Sequence, residues 1–195
     1  MHGLVLRAVQ LFVTDCYGAA KWAELCAIAG FDFDDFEPML MYDRDTGDQT
    51  LAALARVMRR PVHDLCEDIG TYLASHPNTE GLRRLLRFGG SNLEEFLHSL
   101  DELPDRVRLA VPDLILPRVE LREHSFHSFS LTCYGNIPGF GHVLTGLVRT
   151  MIDDYGALAM VEHRGGGQGV ETISITLLER SFTEGRDFEL WGDVA

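Results

Sequence analysis

Eight histidines and four cysteines carry most of the ligand chemistry open to this 195-residue chain. His63 and Cys66 lie three apart within a helical pattern, a spacing that puts both on one face and within reach of a shared metal ion. No second pair accompanies them, so they read as a surface histidine beside a buried thiol. His124 and His127, in EHSFHS, also lie three apart, but within a strand pattern, where that separation points them to opposite sides unless a bulge intervenes. Cys16, Cys26, Cys66 and Cys133 form no C-x-x-C pair, which suits reduced and mostly buried thiols better than a disulfide frame or a zinc knot.

The acidic stretches FDFDDFE (31–37) and YDRDTGD (42–48) lack the acid spacing, the glycine position and the closing glutamate of a calcium loop. They read as a solvated acidic face and a loop. The glycines of GGGQG (165–169) are followed by a strand pattern, so no helix N-terminus is available to hold a phosphate. Neither G-x-S-x-G, H-E-x-x-H nor a Walker loop is present, and the chain is expected not to be an enzyme.

These residues are carried by helices in the first two-thirds of the chain and by strands in the last third. Helical spacing runs over 17–30, 49–58, 62–73 and 78–90, with Gly30 as a stop signal and Pro61 early in its helix. Ser91 and Glu94 form a capping-box pattern opening a helix over 91–111. Residues 118–134 alternate as one or two strands with an irregularity near His124, 140–156 returns to helical spacing, and 157–179 is a hairpin with the glycines at its tip. The order implies an α+β domain: a helical N-terminal lobe and a long central helix packed on a C-terminal antiparallel sheet.

Charge narrows the partners. With 17 Lys+Arg against 30 Asp+Glu, the net charge of −13 repels phosphate backbones and anionic bilayers, so neither nucleic acid nor a membrane is expected as a partner. No apolar run approaches the ~20 residues of a membrane span. The start MHGLVLRAVQLFVTD has no basic n-region or cleavage site, and a cytoplasmic location is expected.

The 91–111 segment raises the sharpest question. Phe96, Leu97, Leu100, Leu103, Val107 and Val111 draw one apolar stripe along a helix, and Pro104 lies in it. An interior proline removes a backbone hydrogen bond and crowds the carbonyl four residues back, at a cost of roughly 3 kcal/mol, so a kink or break is predicted there.

Met1-His2-Gly3, Tyr17-Gly18 with Trp22, Ala29-Gly30, Asp101-Glu102-Leu103 before a proline-bearing segment ending in Pro117-Arg118, and Tyr134 with Gly146-Leu147 occur in an order that resembles the heme nitric oxide/oxygen binding (H-NOX) domain. The resemblance covers nearly the whole chain. It implies a single domain over 1–195, with a helical distal lobe (1–75) and a proximal lobe containing the sheet (76–195), heme lying between them. In typical members the iron is held by a histidine directly after the D-x-(L/V) segment; here that residue is Pro104. The heme-contacting proline falls on Pro117. The propionate-gripping Y-x-S-x-R motif becomes Tyr134-Gly135-Asn136-Ile137-Pro138, in which only the tyrosine survives and Pro138 offers neither charge nor donor.

Two functions follow from that resemblance. One is a stand-alone, bacterial-type sensory domain whose pocket takes heme, another tetrapyrrole or an apolar ligand in a non-standard way; the other is a heme-free protein-interaction module. The pocket is expected to involve Leu100, Leu103, Pro104, Pro117, Tyr134, Asn136, Leu144 and Leu147, with Tyr134 turned inward beside Pro117. Heme is a doubtful cofactor without a residue-104 ligand. His98, about 120° around the helix from position 104, is the candidate for displaced ligation, although a solvent-facing histidine is the plainer reading. The family also implies a partner such as a histidine kinase or a cyclic-dinucleotide enzyme. If heme has been given up, Leu100, Leu103, Phe126, Phe129, Leu144 and Leu147 are the side chains expected to close the space.

Overall fold

The computed structural model describes residues 1–167 and 169–179. Four helices come first: α1 (Gly3–Tyr17), α2 (Ala19–Ala29), α3 (Arg44–Met58) and α4 (Val62–Ser75). His2 caps α1, its Nδ1 accepting from the Leu4 N–H at 3.2 Å, while the Met1 ammonium donates to the Tyr42 carbonyl. The apolar faces of these helices meet in one core around Leu6, Phe12, Leu25, Leu54, Leu65 and Ile69.

The acidic loop after α2 proves to be half core. Its aspartates face solvent, but Phe36 is buried and packs edge-on against Trp22 and Tyr42, with centroids 5.8 and 5.1 Å apart. Gln10, buried on α1, accepts from the Phe36 N–H at 3.0 Å, and Arg7 donates to Asp35 at 2.7 Å. The alternation of Phe with Asp therefore wedges aromatic rings between α1 and α2, each ring pair adding about 0.5–1.5 kcal/mol beyond its buried area.

The second lobe begins with α5 (Glu80–Arg87) and α6 (Leu93–Ser99). The cap of α6 is Asn92, not Ser91: its Oδ1 accepts from the Glu95 N–H at 3.0 Å, and the Glu95 carboxylate accepts from the Ser91 N–H at 2.8 Å. The cap is moved by one residue from the expected Ser91, as asparagine is at least as good a cap as serine, and Glu95 returns to the N–H of Ser91 instead of that of the cap.

The long central helix is interrupted. A 3₁₀ turn over Leu100–Glu102 separates α6 from α7 (Leu103–Ala110), and Pro104 occupies the first turn of α7. There its missing N–H has no intrahelical partner to lose and its fixed φ suits the helix start, so the break removes the penalty that an interior proline would carry. Asp101 ties this turn to the sheet by accepting from the Leu121 N–H.

Strands β1 (Arg118–Ser125), β2 (Ser128–Tyr134), β3 (Leu158–Gly167) and β4 (Val170–Glu179) form one antiparallel sheet in the order β1-β2-β4-β3. The predicted irregularity appears as a register shift between Glu123 and Ser125. Period-2 alternation puts Phe129, Leu131 and Cys133 of β2 on the buried face and Ser128, Ser130, Thr132 and Tyr134 on the other. Helix α8 (Phe140–Asp154) packs on the buried face through Val148, Met151 and Ile152. Arg83 of α5 donates to the buried Asp154 at its C-terminal end, at 2.8 Å. Among the described residues, no helix is long and apolar enough to cross a membrane.

The two lobes are joined where α4 crosses α8. A Cβ built on Gly70 would stand 1.9 Å from the Val143 carbonyl oxygen, and one on Gly146 would stand 1.9 Å from that of Glu67. The absence of both side chains lets the two helices touch backbone to backbone.

Candidate functional site

Between the lobes lies a cavity of about 390 Å³, within the usual range for small-molecule sites. Helix α1 contributes Leu4, Val5, Ala8 and Leu11; α4 contributes Cys66, Ile69, Tyr72 and Leu73. The facing wall is built from Leu103 and Val107 of α7, Leu114 and Leu116 beyond it, Ile137 and Pro138, and Phe140, Val143, Leu144 and Leu147 of α8. The i, i+3, i+4, i+7 spacing of the α8 set is what aims one face of that helix at the cavity.

The sequence-based pocket residues divide sharply. Leu103, Leu144 and Leu147 line the cavity, whereas Leu100, Pro104, Pro117, Tyr134 and Asn136 do not. Leu100 is fully buried in the proximal core. Tyr134 is on the sheet face away from α8, with the Arg118 guanidinium 5.4 Å from its ring centroid; strand parity, absent from a motif alignment, decides this. Pro117 is buried against Gly135, and Asn136 stands beside Gly169 at the hairpin tip. His98 is about half exposed, 3.8 Å from the Glu123 carboxylate, and is not a wall residue. Of the side chains expected to close the space, Phe126 is exposed and Phe129 lies under the sheet, so neither fills it. His124 bonds to Ser130 at 2.8 Å, and the described residues contain no cluster with metal-ligating geometry.

The polar side chains of the wall are already committed. Arg7 donates to Asp35 and Gln10, Thr50 to the Thr46 carbonyl at 2.7 Å, and Thr79 to the His76 carbonyl at 2.8 Å. Tyr72 donates to Asp15 at 2.6 Å; burial and that carboxylate push the phenol pKa up, while the same hydrogen bond, with one from Asn78, holds Asp15 below the usual carboxylate range. Burial, with Glu171 and Glu67 nearby, pushes the Cys66 thiol up to about 12, so at neutral pH it is protonated.

The family described as Haem-NO-binding matches residues 2–163. The chain belongs to that family. It is 24% identical over 151 residues to the Caenorhabditis elegans soluble guanylate cyclase gcy-31, covering 77% of this chain but 22% of the cyclase. An Fe(II) unliganded H-NOX mutant from K. algicida shares the fold with a TM-score of 0.74 at 18% identity, covering 92% of this chain and 97% of that one. A mutant of T. tengcongensis H-NOX does so with a TM-score of 0.73 at 17% identity, covering 92% and 99%.

Heme in the arrangement this family implies does not fit these residues. By the motif resemblance the axial ligand would fall on Pro104 and the clamp cation on Pro138, and among the described residues no histidine lines the cavity. The wall atoms able to meet iron are a protonated thiol (Cys66), a phenol engaged by Asp15 (Tyr72) and the Met1 thioether. The change therefore extends beyond one position. Pro104→His alone is expected to leave hemin affinity within about tenfold of the parent, with no stoichiometric Soret band, because position 104 is outside the wall. A sharp 1:1 band in a spectral titration of this variant would show the site to be one substitution from heme.

A second cluster went unrecognised in the sequence because its members come from four elements. His142 of α8 stacks on His163 of β3 at 3.8 Å, and His63 of α4 lies 5.5 Å from His142. Glu67 of α4 is 3.3 Å from His142 Nδ1 and also pairs with Arg149, while Glu171 of β4 stands 3.8 Å from His163 Nε2. The Gly165 N–H donates to His163 Nδ1 at 3.2 Å, so the neutral ring carries its proton on Nε2. Burial, and then His142, hold the His163 pKa below its ordinary value. The unfolded chain thus binds a proton that the folded one refuses, and stability falls as pH drops below about 6.5, the unperturbed histidine pKa. Urea midpoints at pH 7.5 and 5.5 are expected to differ less in His163→Gln than in the parent; equal differences would place the acid sensitivity elsewhere.

Proposed function

We propose that this chain is a ligand-responsive signalling domain, in which an apolar molecule held between the lobes sets a state read by a separate signalling protein. The observation that carries this reading is the cavity itself. Its walls are almost wholly apolar, and apolar surface left facing water forgoes roughly 25 cal/mol per Å², which an apolar occupant recovers. The cavity spans both cores and is bordered by α4 and α8, the helices that join them, so an occupant contacts both lobes at once. That is the differential contact a ligand needs to bias one lobe arrangement over another.

The chain spans about a fifth of the length of the guanylate cyclase relatives it matches, and a sensing role for it is supported by the family match. Family resemblance supports a histidine kinase or a cyclic-dinucleotide enzyme as the reader. The test is titration with N-phenyl-1-naphthylamine, an uncharged fluorophore. Saturable 1:1 binding that raises the melting temperature is expected; no saturable binding would sink the ligand reading and leave a heme-free interaction module.

A further inference from the structure

The chemistry of the wall says more about the occupant than its volume does. A charged headgroup brought inside must find donors, or its burial costs several kcal/mol. The hydroxyl donors of the described wall residues are spent on the protein, Thr50 and Thr79 on backbone carbonyls and Tyr72 on Asp15, and Arg7 is engaged through Nη1 by Asp35 and Gln10. None of the buried side-chain polar atoms that lack a partner among the described residues belongs to a wall residue. Arg7, the one cationic side chain among the described wall residues, is already paired with Asp35, whose pKa is lowered by hydrogen bonds from Gln10 and Arg7, and the Met1 ammonium donates to the Tyr42 carbonyl.

The walls also lack what a flat tetrapyrrole uses. Their aromatic rings are Tyr72 and Phe140, the rest being mainly Leu, Val, Ile and Met stems that conform to a flexible chain. Iron finds a thiol that burial keeps protonated, a phenol engaged by Asp15 and a thioether, with no imidazole among the described wall residues.

Resting on the ligand reading above, we propose that the cavity binds a metal-free, uncharged aliphatic molecule of the long-chain alcohol or isoprenoid kind, in place of heme. The apolar surface of the chain supplies the affinity, at about 0.8 kcal/mol per buried CH₂, and committed hydroxyls with a cationic side chain already paired to Asp35 disfavour its charged analogues.

The test is displacement of bound N-phenyl-1-naphthylamine from the full chain at neutral pH by tetradecanol, tetradecanoate, protoporphyrin IX and hemin. Tetradecanol is expected to displace the probe at a concentration lower by about tenfold or more than tetradecanoate, and to outcompete both tetrapyrroles. Tetradecanoate matching or surpassing the alcohol would overturn the uncharged assignment, and a tetrapyrrole winning would overturn the aliphatic one. Either result leaves the cavity a ligand site. Failure of the probe itself to bind saturably would instead remove the ligand reading, and this inference with it.

Discussion

Gly146→Ala is expected to destabilise the protein by roughly 1–3 kcal/mol or more, the range of overpacking in a close-packed interior. The reason is positional. The added methyl would land 1.9 Å from the Glu67 carbonyl oxygen, and backbone on both sides of that contact cannot rotate away as a side-chain tip would. Glycine in an exposed helix behaves oppositely, since alanine there gains up to about 1 kcal/mol from propensity. Gly81 of α5 serves as the control, because a Cβ there meets nothing within 4 Å. Urea unfolding of the two variants should therefore shift in opposite directions. Gly70→Ala should behave like Gly146→Ala, its Cβ meeting the Val143 carbonyl at the same 1.9 Å. These helices carry Ile69, Leu73, Val143 and Leu147 into the cavity wall, so forcing them apart should also weaken probe binding. A stable Gly146→Ala with unchanged affinity would show that α4 and α8 do not touch as described.

That crossing marks the boundary of what the sequence disclosed. Elements with a strong period were legible: the 2-residue alternation of β2, the hairpin with positive-φ Gly165 and Gly169 at its tip, and the helical stripe broken at Pro104. Local propensity carries such features, so a single chain displays them. The FDFDDFE stretch misled because its charges are local and visible, whereas the pocket of Trp22, Tyr42 and Gln10 that receives Phe36 is assembled from separate segments. The candidate site divided the same way. Leu103, Leu144 and Leu147 follow from helix faces, but Tyr134 turned on strand parity, and the α1 wall of Leu4, Val5 and Ala8 carries no motif at all. Nor could the His63–His142–His163 ladder be read, since its rings come from α4, α8 and β3.

Two adjacent residues of α8, Leu147 and Val148, stand in opposite surroundings. Leu147→Trp is expected to abolish probe binding, a loss on the order of 100-fold or more, while leaving the urea midpoint close to that of the parent; 100-fold corresponds to about 2.7 kcal/mol of binding free energy. Leu147 faces the 390 Å³ space, and an indole entering it fills volume that the ligand would otherwise occupy without pressing on a closed wall. Val148, one residue on, is fully buried in the proximal core and does not line the cavity. The same enlargement there has nowhere to go, so Val148→Trp should cost roughly 1–3 kcal/mol or more through displaced neighbours. Near-ultraviolet circular dichroism separates the two results, a native tertiary signal with no binding for the first and a weakened signal for the second. If Leu147→Trp is instead destabilised as much as Val148→Trp, the space is closed in solution, and the α8 face that lines it belongs to an ordinary core.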